Sequence, residues 1–407
     1  MKILLLLTKA YPFGEGEEFI PAELCEAAGF DRILVCPCSE GLPSGGPVQK
    51  MPGTAELIRL NEVREGRGAY LRLALWPCVL EEIFRLLRAG GEWIGRVHEL
   101  LYFMKNADRV FRGLCRTVPA AAGDEIILYS YWFYDAAAGG ALFARRLRRR
   151  GISVRLISRA HGFDIHAERA KYGYLPMRSF LLRNMDRVYP CSEDGARTIR
   201  LEFPRYAGKV RVSHLGTRDC GPGKPGQNPF HIVSCSYLVP VKRIHLIAEA
   251  LCQADFPAVW THLGSGPEEN RVRALAKGLP PGVRAEFPGR MPHAEILRYY
   301  RETPVSVFVN VSSSEGIPVS VMEACSFGIP VVATEVGGTG EIVAEGKNGF
   351  LLPKDFAPRE LMNVLNRIRK MGPEEYGSLS KGARAVWEEK FNAAANYRRF
   401  YEEIGKL

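Results

Sequence analysis

Two glutamates flank a glycine–proline turn in the second half of the 407-residue chain, within Glu315-Gly316-Ile317-Pro318-Val319-Ser320-Val321-Met322-Glu323. Carboxylate oxygens accept hydrogen bonds from neutral polyols, so one of these glutamates could hold the hydroxyls of a sugar and the other those of a ribose. The bare spacing of two glutamates carries little information. The context makes it informative, because an apolar run typical of a buried strand precedes the turn and a helical pattern begins near Pro318.

The turn itself has the composition of an anion-binding helix start. Proline favours the first helical turn, where its missing amide would have no intrahelical partner, and Gly316 lets the backbone approach a ligand closely. The amides of Ile317, Val319 and Ser320 are then expected to point toward phosphate or sugar oxygens.

Short runs rich in β-branched residues alternate with amphipathic stretches, which is typical of an α/β fold with doubly wound parallel sheets. The predicted strands are residues 2–8, 32–36, 125–130, 154–158, 187–191 and 210–214, then 232–236, 259–263, 283–287, 305–309 and 331–334. A mostly helical segment is predicted between residues 57 and 116. Its apolar stripe with basic flanks suits either packing on its own domain, the commoner case, or contact with a membrane surface.

The texture of the sequence changes at residues 216–229, which are rich in glycine and proline and have no apolar periodicity, as in interdomain linkers. We therefore predict a first domain at 1–216, a linker at 217–229, a second domain at 230–385 and a C-terminal helix at 386–407. Two Rossmann-like domains would face a cleft at the carboxyl edges of their sheets, where α/β proteins bind ligands.

Composition sets the broad class. The chain is 46% hydrophobic and 25% charged, as in ordinary soluble globular proteins. The apolar run at residues 3–7 is too short for a signal peptide, and the candidate span at 71–87 is interrupted by Pro77 and Glu81-Glu82, so no membrane span is expected. The ten cysteines form no CxxC pair, which favours reduced thiols in a cytoplasmic protein.

Residues 1–220 hold 33 Lys and Arg against 25 Asp and Glu, so +8 of the total charge of +10 lies there. This excess suits an anionic partner, such as lipid head groups, a polyprenyl diphosphate or nucleic acid, or it is simply a solvated basic surface. No basic motif interleaved with aromatic residues supports nucleic acid.

The segment around Glu315 and Glu323 resembles the donor-site signature of retaining glycosyltransferases with the GT-B fold, family four (group 1). The resemblance is dense over residues 230–353, running through 324–334, Gly337-Gly338 and Gly349-Phe350-Leu351. It extends to bacterial enzymes of exopolysaccharide and lipopolysaccharide biosynthesis. The resemblance implies a nucleotide-sugar-binding second domain, an acceptor-binding first domain and a C-terminal helix that returns to the first domain.

The resemblance assigns further donor-site residues to the second domain. Lys242 takes the position of a lysine that contacts the donor diphosphate. Tyr237 stands where an arginine is common, a loss for which Arg243 could partly substitute. A strand-to-helix loop contributes Gly264 and Gly266, and the edge of the nucleobase pocket contributes Arg290 and Met291.

In the first domain, the resemblance assigns Gly14 and Gly16 to donor binding, in the family's glycine-containing loop after the first strand. The alternative is a flexible surface turn. His161 in Ser158-Arg159-Ala160-His161-Gly162-Phe163-Asp164 resembles the family's histidine–glycine motif and would reach the reacting sugar, unless it is a satisfied core histidine. Asp164 could orient the backbone or meet the acceptor.

The activity implied is transfer of a hexose from a nucleoside-diphosphate sugar to a hydroxyl of a saccharide, lipid-linked in this interpretation, with retention of configuration. Positive charge grows on the sugar and negative charge on the leaving diphosphate, which Lys242 and the amides near Val319 would stabilise. The resemblance favours front-face return over a carboxylate nucleophile, with Glu315 positioning the sugar and Glu323 the ribose. His161, Lys242 and Glu315 are the predicted catalytic set, with no metal and no cofactor. The alternative is a binding protein of the same fold without turnover.

Overall fold

The carboxyl edge of a six-stranded parallel sheet organises each half of the molecule. The computed structural model describes residues 1–14, 16–43, 45–46, 49–60 and 73–407. The chain divides into a first unit, Met1–Ser213 with Tyr397–Leu407, and a second unit, His214–Asn396. Both units are Rossmann-like.

In the first unit the strands lie in the order β3-β2-β1-β4-β5-β6. They are β1 (Lys2–Thr8), β2 (Arg32–Pro37), β3 (Ala55–Leu57), β4 (Glu125–Ser130), β5 (Ser153–Ala160) and β6 (Arg187–Pro190). The leucine run of β1 is buried on both faces: Ile3, Leu5 and Leu7 join one core and Leu4 and Leu6 the other. Burial of both faces explains why this strand has no alternation of polar residues.

Helices cover these two faces. They are Ile20–Cys25, Pro77–Ala89, Trp93–Thr117, Asp135–Arg149, Arg178–Asn184 and Glu193–Glu202. The second core also contains Phe400, Tyr401 and Ile404 from the C-terminal helix Ala393–Ile404.

The second unit repeats the topology, with the order β12-β11-β10-β7-β8-β9. Its strands are β7 (His231–Cys235), β8 (Ala258–Leu263), β9 (Val283–Gly289), β10 (Val307–Asn310), β11 (Val331–Thr334) and β12 (Gly349–Leu352). Its helices are His245–Leu251, Glu269–Ala276, His293–Glu302, Val319–Ser326, Thr339–Ile342, Pro358–Lys370 and Pro373–Lys390. The first strand of each unit thus lies at its centre, beside the fourth, where the direction of winding reverses.

The predicted strand at 210–214 is wrong. Val210 makes an isolated bridge to Val188. The amides of Arg211 and Ser213 still donate to the Val188 and Pro190 carbonyls of β6, but no regular strand forms. Conversely, β3 and β12 were not predicted.

The predicted C-terminal helix at 386–407 is two helices instead of one. The Phe391 carbonyl accepts a hydrogen bond from the Thr217 amide at 2.9 Å, and the Ala393 amide donates to the Thr217 carbonyl at 3.1 Å. These bonds replace intrahelical ones and end the helix Pro373–Lys390.

The predicted helical segment between residues 57 and 116 contains Pro77–Ala89 and most of Trp93–Thr117. Its stretch at 61–72, with the start of the apolar run at 71–87, lies outside the described residues. Within the described part of the chain, no helix is long and apolar enough to cross a bilayer.

Candidate functional site

The centre of the second sheet brings together segments that are far apart in sequence. Because β7 and β10 pair in parallel, the loops that follow them emerge side by side at the carboxyl edge. This is the point of an open α/β sheet where ligands bind. One loop carries Lys242 and Arg243, and the other carries Glu315 and Gly316.

Lys242 and Glu315 form an ion pair that joins these two loops. The Lys242 Nζ lies 2.6 Å from the Glu315 Oε1, and the Asn310 Nδ2 donates to the same oxygen at 3.3 Å. The Glu315 side chain is 10% exposed and that of Lys242 is 26% exposed. The two residues predicted to hold the sugar and the diphosphate therefore hold each other. Asn310, the last residue of β10, was not predicted as part of the site.

The glycine–proline turn leads into the helix Val319–Ser326, with Pro318 extended at its cap. Val319 and Ser320 are the first two helical residues, so their amides lack intrahelical acceptors. Ile317 is buried, which anchors the turn. The Gly316 carbonyl accepts a hydrogen bond from the Gly338 amide at 2.7 Å.

Arg243, which could partly substitute for the arginine that Tyr237 replaces, is hydrogen-bonded to two backbone carbonyls. Its backbone is left-handed, with φ of 48°. Its Nε donates to the Val311 carbonyl at 2.8 Å and its Nη2 to the Ser312 carbonyl at 3.3 Å. The guanidinium thus ties the two loops together and is committed to backbone carbonyls.

A cavity of about 590 Å³ opens beside the loop that follows β7, at the ends of β7, β8 and β9. Gly264, Arg290 and Met291 are among its lining residues. Gly264 and Gly266 also permit a backbone contact: a Cβ on Gly264 would lie 2.0 Å from the Ser236 carbonyl oxygen, and one on Gly266 2.5 Å from that of Leu238.

Glu323 has a partner that the sequence did not reveal. The His293 Nε2 lies 2.5 Å from the Glu323 Oε1, and His293 lines the same cavity. The Glu323 side chain is 7% exposed, against 67% for His293. No spacing in the sequence links His293 to Glu323, since they lie on separate helices that only the fold brings together.

In the first unit, a buried glutamate shapes the loop after β1. The Glu17 carboxylate accepts hydrogen bonds from the amides of Lys9, Ala10 and Tyr11 at 2.7–2.8 Å and from the Trp132 indole at 2.8 Å. Glu17 was not predicted as part of the site. A glutamate in a loop is too common in sequences for its position alone to indicate this role.

The two predicted glycines of this loop, Gly14 and Gly16, are needed for its backbone conformation. A Cβ on Gly14 would lie 2.7 Å from the Ala10 Cβ, and Gly16 has φ of +94°. The Gly14 carbonyl accepts a hydrogen bond from the Gln49 Nε2 at 2.5 Å. Both residues thus permit the tight turn around Glu17.

His161 lies at the end of β5, beside this loop. Its ring is 4.5 Å from the Trp132 indole and 4.7 Å from the Tyr131 ring, centroid to centroid. Its Nε2 lies 3.0 Å from the Tyr131 carbonyl oxygen. Because a carbonyl oxygen can only accept a hydrogen bond, Nε2 carries the proton. In the neutral ring, Nδ1 is then a hydrogen-bond acceptor. Burial lowers the pKa of His161, against a smaller opposing effect from Asp164.

Asp164 orients the backbone, which answers the question left open by its sequence position. Its Oδ1 accepts from the amides of His161 at 2.7 Å and Gly162 at 3.1 Å, and its Oδ2 from that of Phe133 at 2.9 Å. The side chain is fully buried. It therefore fixes the position of His161.

Each unit is a Rossmann-like domain with polar side chains at its switch point, and the second has the glutamate, lysine and helix start expected of a nucleotide-sugar site. Residues 222–386 match the model of the family Glycosyl transferases group 1.

The putative colanic acid biosynthesis glycosyltransferase WcaL of Escherichia coli (strain K12) is 32% identical over 262 residues, covering 61% of this chain and 64% of that protein. The match thus spans less than two thirds of the relative's length. Among solved structures, Anabaena Alr3699/HepE in complex with UDP-glucose has a TM-score of 0.61 at 18% identity. The lipopolysaccharide outer core galactosyltransferase WaaB has a TM-score of 0.68 at 15% identity. Both comparisons cover 100% of each chain and confirm the GT-B fold.

The approach of Gly337 to the turn predicts a specific sensitivity. A Cβ there would lie 2.0 Å from the Glu315 carbonyl oxygen, at φ of +53°. Gly346 has φ of +70° and nothing within 4 Å of such a Cβ, so Gly346→Ala bears only the left-handed cost of roughly 1–2 kcal/mol. We expect Gly337→Ala to lose more stability in urea unfolding and to weaken nucleoside diphosphate binding. Equal effects of the two substitutions would contradict this packing.

The environment of His161 predicts its charge. Because its pKa is lowered from 6.5, the ring is neutral at pH 7, and the stability that this neutral ring contributes is lost as pH falls below 6.5. ¹⁵N imidazole spectra, assigned with His161→Gln, should show a neutral Nε2–H ring at pH 6.5. A largely doubly protonated ring at that pH would contradict the assignment.

Proposed function

We propose that this protein is a retaining glycosyltransferase that moves a hexose from a nucleoside-diphosphate sugar to a saccharide hydroxyl in cell-surface polysaccharide assembly. The observation that carries the proposal is the Lys242–Glu315 pair at the switch point, beside the start of the helix Val319–Ser326. A cation, a carboxylate and the start of a helix thus lie together at the carboxyl edge of the second sheet.

The nucleoside diphosphate of the donor would bind to the second unit. The Lys242 ammonium has three donors, so it can contact the diphosphate while keeping or exchanging its bond to Glu315. The amides of Val319 and Ser320 add the positive end of the helix dipole. Glu323, held by His293, would accept the ribose hydroxyls near the cavity lined by Arg290 and Met291.

The contacts of Glu315 favour a positioning role. A nucleophilic carboxylate must attack the anomeric carbon, but Glu315 is paired with Lys242 and bonded to Asn310. Both contacts lower its nucleophilicity and suit an acceptor for sugar hydroxyls. We therefore propose front-face return, in which the leaving phosphate oxygen takes the proton of the acceptor hydroxyl. Lys242 stabilises the charge that develops on that phosphate, and no metal is required.

His161 would act as a neutral group. With Nε2–H directed at the Tyr131 carbonyl, Nδ1 can accept a hydrogen bond from a sugar hydroxyl. A neutral ring adds no repulsion to the positive charge that grows on the sugar in the transition state.

The choice of pathway rests on the relatives. The Escherichia coli protein is named for colanic acid biosynthesis, and the Anabaena structure contains UDP-glucose. A UDP-sugar donor and an exopolysaccharide or lipopolysaccharide acceptor, lipid-linked and presented at the cytoplasmic face of the membrane, are the corresponding proposals for this chain.

A surface on the first unit suits contact with such a membrane. Leu80, Phe84 and Leu87 form one stripe of the helix Pro77–Ala89 and are 36%, 61% and 45% exposed. Trp93 and Ile94, at the start of the next helix, are 41% and 68% exposed. Exposed Arg88 on the first helix adds attraction to anionic head groups.

The first test is a donor screen with the full chain. We expect release of UDP from a UDP-sugar in the presence of a saccharide acceptor panel, without added metal and in EDTA. Binding of UDP with no release from any UDP-, GDP- or ADP-sugar would instead support the non-catalytic binding protein.

Lys242→Met tests the charge chemistry. Removing one preorganised donor to the leaving group should lower turnover by a factor of about 10²–10³, about 3 kcal/mol, while Lys242→Arg retains more activity. Exposed Lys277 offers a matched control, Lys277→Met, expected to be neutral. Turnover of Lys242→Met at the wild-type level would overturn the assignment.

Membrane contact is tested by co-sedimentation with phosphatidylglycerol vesicles at low salt. We expect the wild-type protein to bind, and Phe84→Ser with Ile94→Ser to bind several-fold less. Leu201, 75% exposed on another helix, provides the control Leu201→Ser. Binding that is absent at low salt, or equal in all variants, would contradict the proposed surface.

A further inference from the structure

A second cavity lies within the first unit, at the carboxyl edge of its sheet. It has a volume of about 260 Å³, and Lys9, Glu40, Trp132 and Phe163 lie on its wall after β1, β2, β4 and β5, respectively. None of these residues belongs to the donor site of the second unit, and Trp132 packs against His161. The cavity is smaller than the pockets that enclose drug-sized ligands, and its size suits a single ring.

Aromatic rings form one side of the cavity. Trp132 and Phe163 lie 5.0 Å apart between ring centroids, and Tyr134 lies 5.8 Å from Phe163. The Trp132 indole is fixed by its hydrogen bond to Glu17, whereas Phe163 is 42% exposed. The Trp132 side chain of this wall is therefore held in place, and the Phe163 side chain is accessible to solvent.

Polar groups line the remainder. The Asp135 Oδ2 accepts a hydrogen bond from the Asn106 Nδ2 at 3.0 Å, and its Oδ1 from the Ala136 amide at 2.8 Å. A carboxylate accepts about four hydrogen bonds, so Asp135 can accept more. Burial raises the pKa of Asp135, an effect that a hydroxyl donor to the carboxylate would oppose.

The charges of the cavity balance. Two cationic residues, Lys9 and Arg109, face two acidic residues, Glu40 and Asp135. The Arg109 Nε lies 3.2 Å from the Glu40 Oε1, and its Nη2 donates to the Cys38 carbonyl. A phosphate site would require an excess of uncommitted cations. The aromatic wall and balanced charge suit a neutral ligand with one apolar face and several hydroxyls.

We propose that this cavity binds one neutral pyranose ring of the acceptor, with its C–H face against Trp132 and Phe163 and its hydroxyls toward Asp135 and Asn106. The proposal rests on the proposed function, because it names the class of acceptor. Trp132, Phe163 and Asp135 would then determine acceptor specificity without contributing to donor binding.

The test uses the full chain and saturation-transfer NMR with a panel of neutral methyl hexopyranosides, methyl glucuronide and inorganic phosphate. Phe163→Ala should weaken binding of the best neutral glycoside about tenfold, the loss of one aromatic contact. Asp135→Asn should weaken it while changing the preference among epimers. Leu201→Ala, a substitution of an exposed apolar residue elsewhere in the unit, should leave it unchanged.

Binding of UDP and donor hydrolysis are measured on the same variants and should match the wild type. Preferential binding of phosphate or glucuronide, no neutral binding at all, or neutral binding unaffected by Phe163→Ala would each overturn the cavity assignment. The proposed function fails separately, if the wild-type protein hydrolyses no nucleotide sugar and transfers none. Glycoside binding that depends on Phe163 in such a protein would still support the cavity.

Discussion

The parallel pairing of β7 with β10 is the constraint on which the donor site depends. Ile232 pairs with Val307 and Val233 with Phe308, and the Ser306 hydroxyl accepts a hydrogen bond from the His231 amide at 2.8 Å just before the register begins. Because the strands are parallel, the following loops leave the same edge of the sheet. This alone places Lys242 within 2.6 Å of Glu315, 73 residues away. The neighbouring pair of β8 and β9 then supplies the cavity beside them.

The same arrangement solves an electrostatic problem. Glu315 is largely desolvated, and an isolated carboxylate in that position would be costly. Lys242 and Asn310 supply the compensating contacts. Glu323 is stabilised in a similar way by His293. In the proposed donor complex, a diphosphate would offer Lys242 an anion that replaces Glu315, and the sugar hydroxyls would offer Glu315 donors that replace Lys242. Exchange of partners, rather than creation of new charge contacts, would then limit the electrostatic cost of donor binding.

Sequence patterns predicted the elements whose signal is local. Strands β1 and β11 were predicted with their observed limits, since continuous apolar runs of a parallel sheet are bounded by polar residues. The turn at Gly316 and the helix start after Pro318 followed from residue type. The unpredicted contacts of Glu17, His293 and Asn310 depend on side chains that meet only after strands pair. The aromatic run Tyr131-Trp132-Phe133-Tyr134 after β4 was a visible signal that was not used. Its alternation places Phe133 in the core and Trp132 and Tyr134 at the cavity.

The glycines show why a correct motif can carry an incomplete explanation. Gly264, Gly266 and Gly316 were interpreted as places where a ligand approaches the backbone. The structure adds close contacts between backbones: Gly264 against Ser236, Gly266 against Leu238, and Gly337 against Glu315. A side chain at any of these positions would push apart two loops that carry the polar groups. The glycine pattern therefore records the packing of loops at the sheet edge, and the ligand site is a consequence of that packing. Substitutions of these glycines should consequently act through loop position, even where the glycine touches no ligand atom.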